Sequence, residues 1–564
     1  MSDVLMIFQK LFFFVMLISV VVIVHEWGHF IVARLCGVRV EAFSLFFGKP
    51  LYKKKRGDTE WRIGTIPFGG YVKMVGQADG KHENYDEMTD EEKSVSFAHK
   101  PLAQRAAIVA AGPAMNFVLA FVIFSIMFMV GYPTTTTLIG DVTRDGAAWE
   151  AGLRPGDRVT AIDGDKVWRW DDMASIVEEN PEKAMDFTVQ RGDETRHVTV
   201  TPRLGLKKNI FQFEENAGLI GVSPDGFRPI AGVTGPQTAA AQAGLKTGDL
   251  FKSIDGKPVH AFADVERELL ASPGPHKVTV ERGGLARREA DRQPTDVELT
   301  LPALPSATGI QDYGLERADL YVLEVVEGSP AEKAGLRAGD RFVTLNGEAP
   351  SGWEEFSGIV RQHPGEELSV VVRRDGETRT IGVTPEAAQE KDLLGETVEV
   401  GRLGVYPWIS YSNPEMVNER HLNPFVAVWR GVELTGYWTV MTLKGFVYLF
   451  TGDVSVKSLG GPILIADLAG KTAASGAFSF VMFIAIISLN LAILNLMPIP
   501  VLDGGHLAMF AVEGVIRRPL SEASQRVATN LGMAIVLCLV AATFFNDIAR
   551  VFPGLRTLFG LFGG

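Results

Sequence analysis

At 564 residues the chain is longer than one hydrophobic core supports, so several domains are expected. Its formal charge of −12 is carried mostly by a polar middle, which argues against a nucleic-acid partner. Two cysteines, Cys36 and Cys538, both lie in or beside apolar runs, which excludes a disulfide framework in that middle.

Hydrophobic residues make up 46% of the chain and gather at its two ends. The first apolar segment, 1–36, reads as a transmembrane helix. No small-x-small cleavage site follows it, so it is expected to be retained rather than removed as a signal peptide. It contains His25-Glu26-Trp27-Gly28-His29. On a helix, His25 and His29 stand one turn apart on one face and can point at one metal ion, with Glu26 in reach of a water beside it. This is the H-E-x-x-H arrangement of zinc peptidases, two ligands and a general base. The competing reading is a set of polar residues at a helix end. Three ionisable groups inside an apolar span weigh against it, because each is costly there.

Residues 37–101 form a polar loop with a basic cluster, Lys49 and Lys53-Lys54-Lys55-Arg56. Short basic loops stay cytoplasmic, which puts the N-terminus outside and the metal motif near the cytoplasmic face. Within the loop, 61–74 alternates and carries Pro and Gly, as short strands or a β-hairpin do. An exposed edge there can hold an extended substrate by strand addition, and a purely structural turn-rich loop fits as well. A second transmembrane helix is expected over 102–131. Its Ala111-Gly112-Pro113-Ala114-Met115-Asn116-Phe117 reads as close helix packing.

The middle repeats itself. Ala151-Gly152-Leu153-Arg154-Pro155-Gly156-Asp157 returns as Ala243-Gly244-Leu245-Lys246-Thr247-Gly248-Asp249 and Ala334-Gly335-Leu336-Arg337-Ala338-Gly339-Asp340. Each phrase precedes an apolar strand and an Asp-Gly or Asn-Gly hairpin signal, at 163, 255 and 346. Three units follow, 132–222, 223–317 and 318–406. Residues 407–476, with Phe425, Trp429, Tyr437 and Trp438, are expected to form amphipathic interfacial helices. A buried helix pair under the third unit is the competing reading.

A third transmembrane helix spans 477–498 and a fourth 527–547, with a loop at 499–526 between them and a tail at 548–564. Pro498 and Pro500 must break the helix, and irregular backbone at membrane depth is tolerated where it is buried in protein or lines a cavity. Leu502-Asp503-Gly504 follows directly, and Asp503 is the candidate third ligand, since a catalytic zinc takes three protein ligands and keeps a position open. His506 is not needed in that set, and His99, His260 and His276 are expected at the surface or in loops.

Together, H-E-x-x-H at 25–29, A-G-P-x-x-N ending at Asn116, and N-x-x-x-x-N-L-x-P-x-P-x-L-D-G from Asn490 to Gly504 resemble the site-2 protease family of intramembrane zinc proteases. The bacterial regulator-of-sigma-E branch is the most similar. The repeat units resemble PDZ domains of the protease-associated kind; that branch usually carries two, and this chain carries three. The implied fold is an α-helical polytopic membrane protein with four transmembrane helices, a β-rich membrane-associated loop and inserted PDZ-like α+β domains. The resemblance implies that His25, His29 and Asp503 bind Zn2+, that Glu26 is the catalytic base, and that Asn490 and Asn495 handle substrate. Implied partners are single-pass transmembrane proteins (a pre-cleaved anti-sigma factor or signal-peptide remnants), the lipid bilayer, and peptides or C-termini at the PDZ units. The implied location is the bacterial inner membrane with the PDZ units periplasmic. A non-catalytic membrane-anchored PDZ scaffold is the alternative, and an intact Glu26 argues against it.

Overall fold

The computed structural model describes residues 2–77, 88–143, 146–209, 214–285, 292–391, 397–408, 411–452 and 459–551. Two compact units form. One joins the ends of the chain, Met1–Tyr132 and Glu419–Gly564; the other is Pro133–Asn418.

The first unit is built on helices. Helix α1, Ser2–Leu35, is apolar for most of its length. It stops at Gly37, whose positive φ lets the Val38 N–H bond back to the Ala33 carbonyl. Strands β1, Val40–Arg56, and β2, Thr59–Met74, pair from Arg56 opposite Thr59 to Val40 opposite Met74. Register shifts and the positive φ of Phe46 and Gly48 bend this ribbon, so that Phe43 lies beside both Trp61 and Val72. Helix α2, Leu102–Val130, packs along α1. Gly28 permits this, since a Cβ there would meet the Ala111 carbonyl oxygen at 2.2 Å.

Helix α3, Pro424–Thr451, lies along α2, with Gly431 against Ser125, and helix α4, Pro462–Ala474, packs on α1. Asp547 accepts from the backbone N–H groups of Gly461, Ile463 and Leu464 and so caps the start of α4. Helix α5, Ala477–Leu496, ends before Pro498. Four helices, over Leu5–Leu35, Leu102–Val130, Ala477–Leu496 and Ala523–Ile548, are long and apolar enough to cross a membrane.

The loop expected at 499–526 differs from the structure, because Asp503–Ile516 is helix α6. The cause is local. A Cβ on Gly504 would meet the Leu496 carbonyl at 2.3 Å, and one on Gly505 the Ile499 carbonyl at 2.2 Å, so this glycine pair lets the chain turn tightly and restart a helix. The apolar face of α6 then docks on α2, where Arg105 bonds Glu513 at 2.9 Å and lies over the Phe510 ring. The last helix, α7, runs Glu522–Val551, and the tail from 552 lies outside the described residues.

The second unit contains three separate hydrophobic clusters, drawn from 139–220, 231–315 and 320–403. Each repeat pairs the strand after its Gly-Asp phrase (Arg158–Ile162, Leu250–Ile254, Arg341–Leu345) with a later strand ending in arginine. Asp157, Asp249 and Asp340 are buried at the centre of identical networks. Each accepts the N–H three residues upstream and a two-pronged bond from Arg191, Arg282 or Arg374, which also reaches the carbonyl of the first motif glycine. The turn residues Asp163, Asp255 and Asn346 all have φ near +50° and precede glycines of positive φ, as hairpin turns of this hand require. His276, expected at the surface, is instead fully buried, with Nδ1 at 2.7 Å from Asp255 and Nε2 at 3.1 Å from the Ser272 carbonyl.

Candidate metal centre

Helical spacing puts His25 and His29 of α1 on one face, and their Nε2 atoms lie 3.2 Å apart. Asp503, the first residue of α6, brings Oδ2 to 3.2 Å from His25 Nε2 and 3.7 Å from His29 Nε2. Both imidazoles are buried, and among the described residues no other group of three His, Cys, Asp or Glu donors converges in this way. Ligands about 2.0–2.1 Å from a tetrahedral zinc stand about 3.3–3.4 Å from one another, so these donors already have the spacing of a zinc site. His29 adds a second sign of fit. Its Nδ1 lies 2.9 Å from the Ile108 carbonyl, which can only accept, so the Nε2 lone pair is free for a metal.

Glu26 does not join the donor set and faces β2. The backbone N–H of Val72 faces its carboxylate. Gly70 allows this approach, since a Cβ there would come within 2.8 Å of Val22 and 3.3 Å of Glu26 Cγ. The 61–74 stretch is therefore part of the site's wall, with Val72 oriented on the carboxylate.

The two asparagines of α5 separate. Asn495 reaches the centre, its amide nitrogen 3.5 Å from His25 Nε2. Asn490 does not, and its Oδ1 accepts from the Thr442 hydroxyl of α3 at 2.7 Å. His506 stays outside the donor set, as expected. Three contributions from α2 escaped sequence reasoning: the Ile108 carbonyl, Asn116 beside His25 Nδ1 at 3.3 Å, and the Arg105–Glu513 pair that holds α6 in place. The signal available for the last two was a polar side chain in or beside an apolar helix.

The model of peptidase family M50 matches residues 13–539. The chain is 31% identical to Protease RseP of Yersinia pestis, over 95% of this chain and 98% of that protein. It is 32% identical to Regulator of sigma-E protease RseP of Salmonella typhimurium, with the same coverage. A Neisseria meningitidis protein named as a zinc metalloprotease is 31% identical, again over 95% of this chain and 98% of the relative.

Proposed function

Because this chain belongs to peptidase family M50 and is a zinc metalloendopeptidase of the site-2 protease type, we propose that it hydrolyses a peptide bond in or near the transmembrane segment of single-pass membrane proteins. The favoured substrate is an anti-sigma factor already shortened by another protease, and signal-peptide remnants are the second class. The enzyme works in the bacterial inner membrane, with 37–101 cytoplasmic and the PDZ-like units at 132–222, 223–317 and 318–406 periplasmic. The basic cluster Lys53–Arg56 supports that orientation.

One observation carries the reading: two imidazoles and a carboxylate from separate helices converge at zinc spacing, with a second carboxylate beside them. His25, His29 and Asp503 hold the ion. Zinc bound there supplies a Lewis acid and lowers the pKa of a water to about 7. Glu26 would accept a proton from a water at the centre and pass it to the leaving amine nitrogen. A helical substrate must unwind before its carbonyl is exposed, and Asn495 is assigned to bind the freed backbone. The edge of β2 next to Val72 offers further N–H and C=O groups for strand addition. Asn490 acts indirectly, by tying α5 to α3 through Thr442.

Glu26→Gln tests the base. The variant should keep stoichiometric zinc and lose cleavage of a single-pass reporter substrate by about 10³-fold or more. Cleavage at the unaltered rate would leave the scaffold reading, in which the PDZ-like units only bind envelope proteins or their C-termini.

A further inference from the structure

Ile108, Gly112 and Asn116 recur every fourth residue of α2 and so share one face of that helix. All three meet the two imidazoles. Ile108 engages His29 Nδ1, as described above. Gly112 does something different: a Cβ added to it would lie 2.3 Å from His29 Nε2 and 2.7 Å from His25 Nε2. Those lengths are close to a zinc–nitrogen bond of about 2.0–2.1 Å. A side chain there would crowd both Nε2 atoms and the His29 Cε1 atom at 2.6 Å, on the edge of the rings where a shared ion would bind.

Asn116 is completely buried, with its amide 3.3 Å from His25 Nδ1. The amide nitrogen faces the ring, and Oδ1 has no hydrogen-bond partner among the described residues. Amide orientation follows from the surrounding hydrogen bonds. If His25 offers the Nε2 lone pair to a metal, its ring proton sits on Nδ1 and needs an acceptor, which the Asn116 amide provides once it is turned oxygen-first. The Ser488 hydroxyl donates to the backbone carbonyl of Asn116 at 3.0 Å.

We propose that this face of α2 is the back wall of the metal centre. Gly112 reserves the volume of the divalent cation, and Asn116 is a positioning residue that sets the His25 tautomer competent to bind it. The proposal rests on the reading of His25, His29 and Asp503 as ligands. It gives the A-G-P-A-M-N stretch a role in metal binding, beyond the helix packing its composition suggests.

The test uses the full-length protein in detergent. Zinc content is read by elemental analysis, zinc affinity by competition with a chromogenic chelator, and ligand geometry by the visible spectrum of the Co2+-substituted protein. His29→Ala is the control for the ligand reading: if it holds as much zinc as the unaltered protein, that reading fails and the proposal falls with it. With the control behaving as expected, Gly112→Ala should hold less than a tenth of the normal zinc while keeping its helical circular dichroism and elution volume. Asn116→Leu should bind zinc about 10–100-fold more weakly. Asn116→Asp, which still accepts from Nδ1, should stay within a few-fold of the unaltered protein and keep its cobalt spectrum. Normal zinc affinity in both Gly112→Ala and Asn116→Leu would overturn the proposal while leaving the ligand assignment standing. Should Gly112→Ala fail to fold, the Asn116 pair decides, and equal affinities for Leu and Asp would refute the positioning role.

Discussion

Asp157, Asp249 and Asp340 show how one side chain closes a repeat. Each carboxylate is buried and saturated by a backbone N–H and a two-pronged arginine, so removing it strands a guanidinium and an amide. Asp157→Ala should destabilise the first repeat by about 2–4 kcal/mol, read as faster hydrogen exchange across 139–222 with the other repeats unchanged. His276 and Asp255 give a smaller, pH-dependent effect. The hydrogen bond from His276 holds the Asp255 carboxyl below its ordinary range. Its contribution is therefore complete above the unfolded carboxylate pKa and is lost as pH falls through the lower folded value. Hydrogen exchange at 276–282 should rise on acidification, and His276→Gln should flatten that rise. The repeated Gly-Asp phrase was plain in the sequence, but its arginine partners lie about 34 residues downstream, and only strand pairing brings them together.

At the level of elements, two glycine-dependent approaches position the chemistry. In β2, Gly70 admits the ribbon to the face of α1 that carries Glu26. Gly70→Val should push that strand away and cut cleavage about tenfold to a hundredfold while zinc content stays normal, because the new side chain would crowd Val22 and Glu26. In the turn from α5 to α6, Gly505→Ala places a methyl group 2.2 Å from the Ile499 carbonyl, which must shift Asp503. Zinc affinity should fall by at least tenfold in chelator competition. Thr442→Val is milder: it removes the bond to Asn490, costs about 0.6 kcal/mol, and should leave zinc binding intact. The Pro498–Pro500 break was legible from the missing N–H groups. That the chain re-enters a helix at Asp503 was not, because the apolar face of α6 is stabilised by α2, far away in sequence.

For the whole molecule, zinc should couple to the helical unit. A ligand that binds only the folded form stabilises it by RT ln(1 + [L]/Kd), about 4.1 kcal/mol at a thousandfold excess over Kd. Stripping the metal with a chelator should therefore lower the melting transition of the helices, followed at 222 nm, and zinc should restore it. The three repeat cores contain no part of the centre, and hydrogen exchange in 133–418 should not change. By itself the amino-acid order determined the four apolar segments, the threefold repeat and which residues were candidates for the chemistry. These are local properties: hydropathy over a helix length, recurrence of a phrase, and two histidines one turn apart. Tertiary structure alone decided that Asn495 enters the centre and Asn490 leaves it, that β2 meets the face of α1 carrying Glu26, and that Ile108, Gly112 and Asn116 stand behind the histidines. Each of these depends on which face of one helix meets another, and that is set by packing between segments hundreds of residues apart.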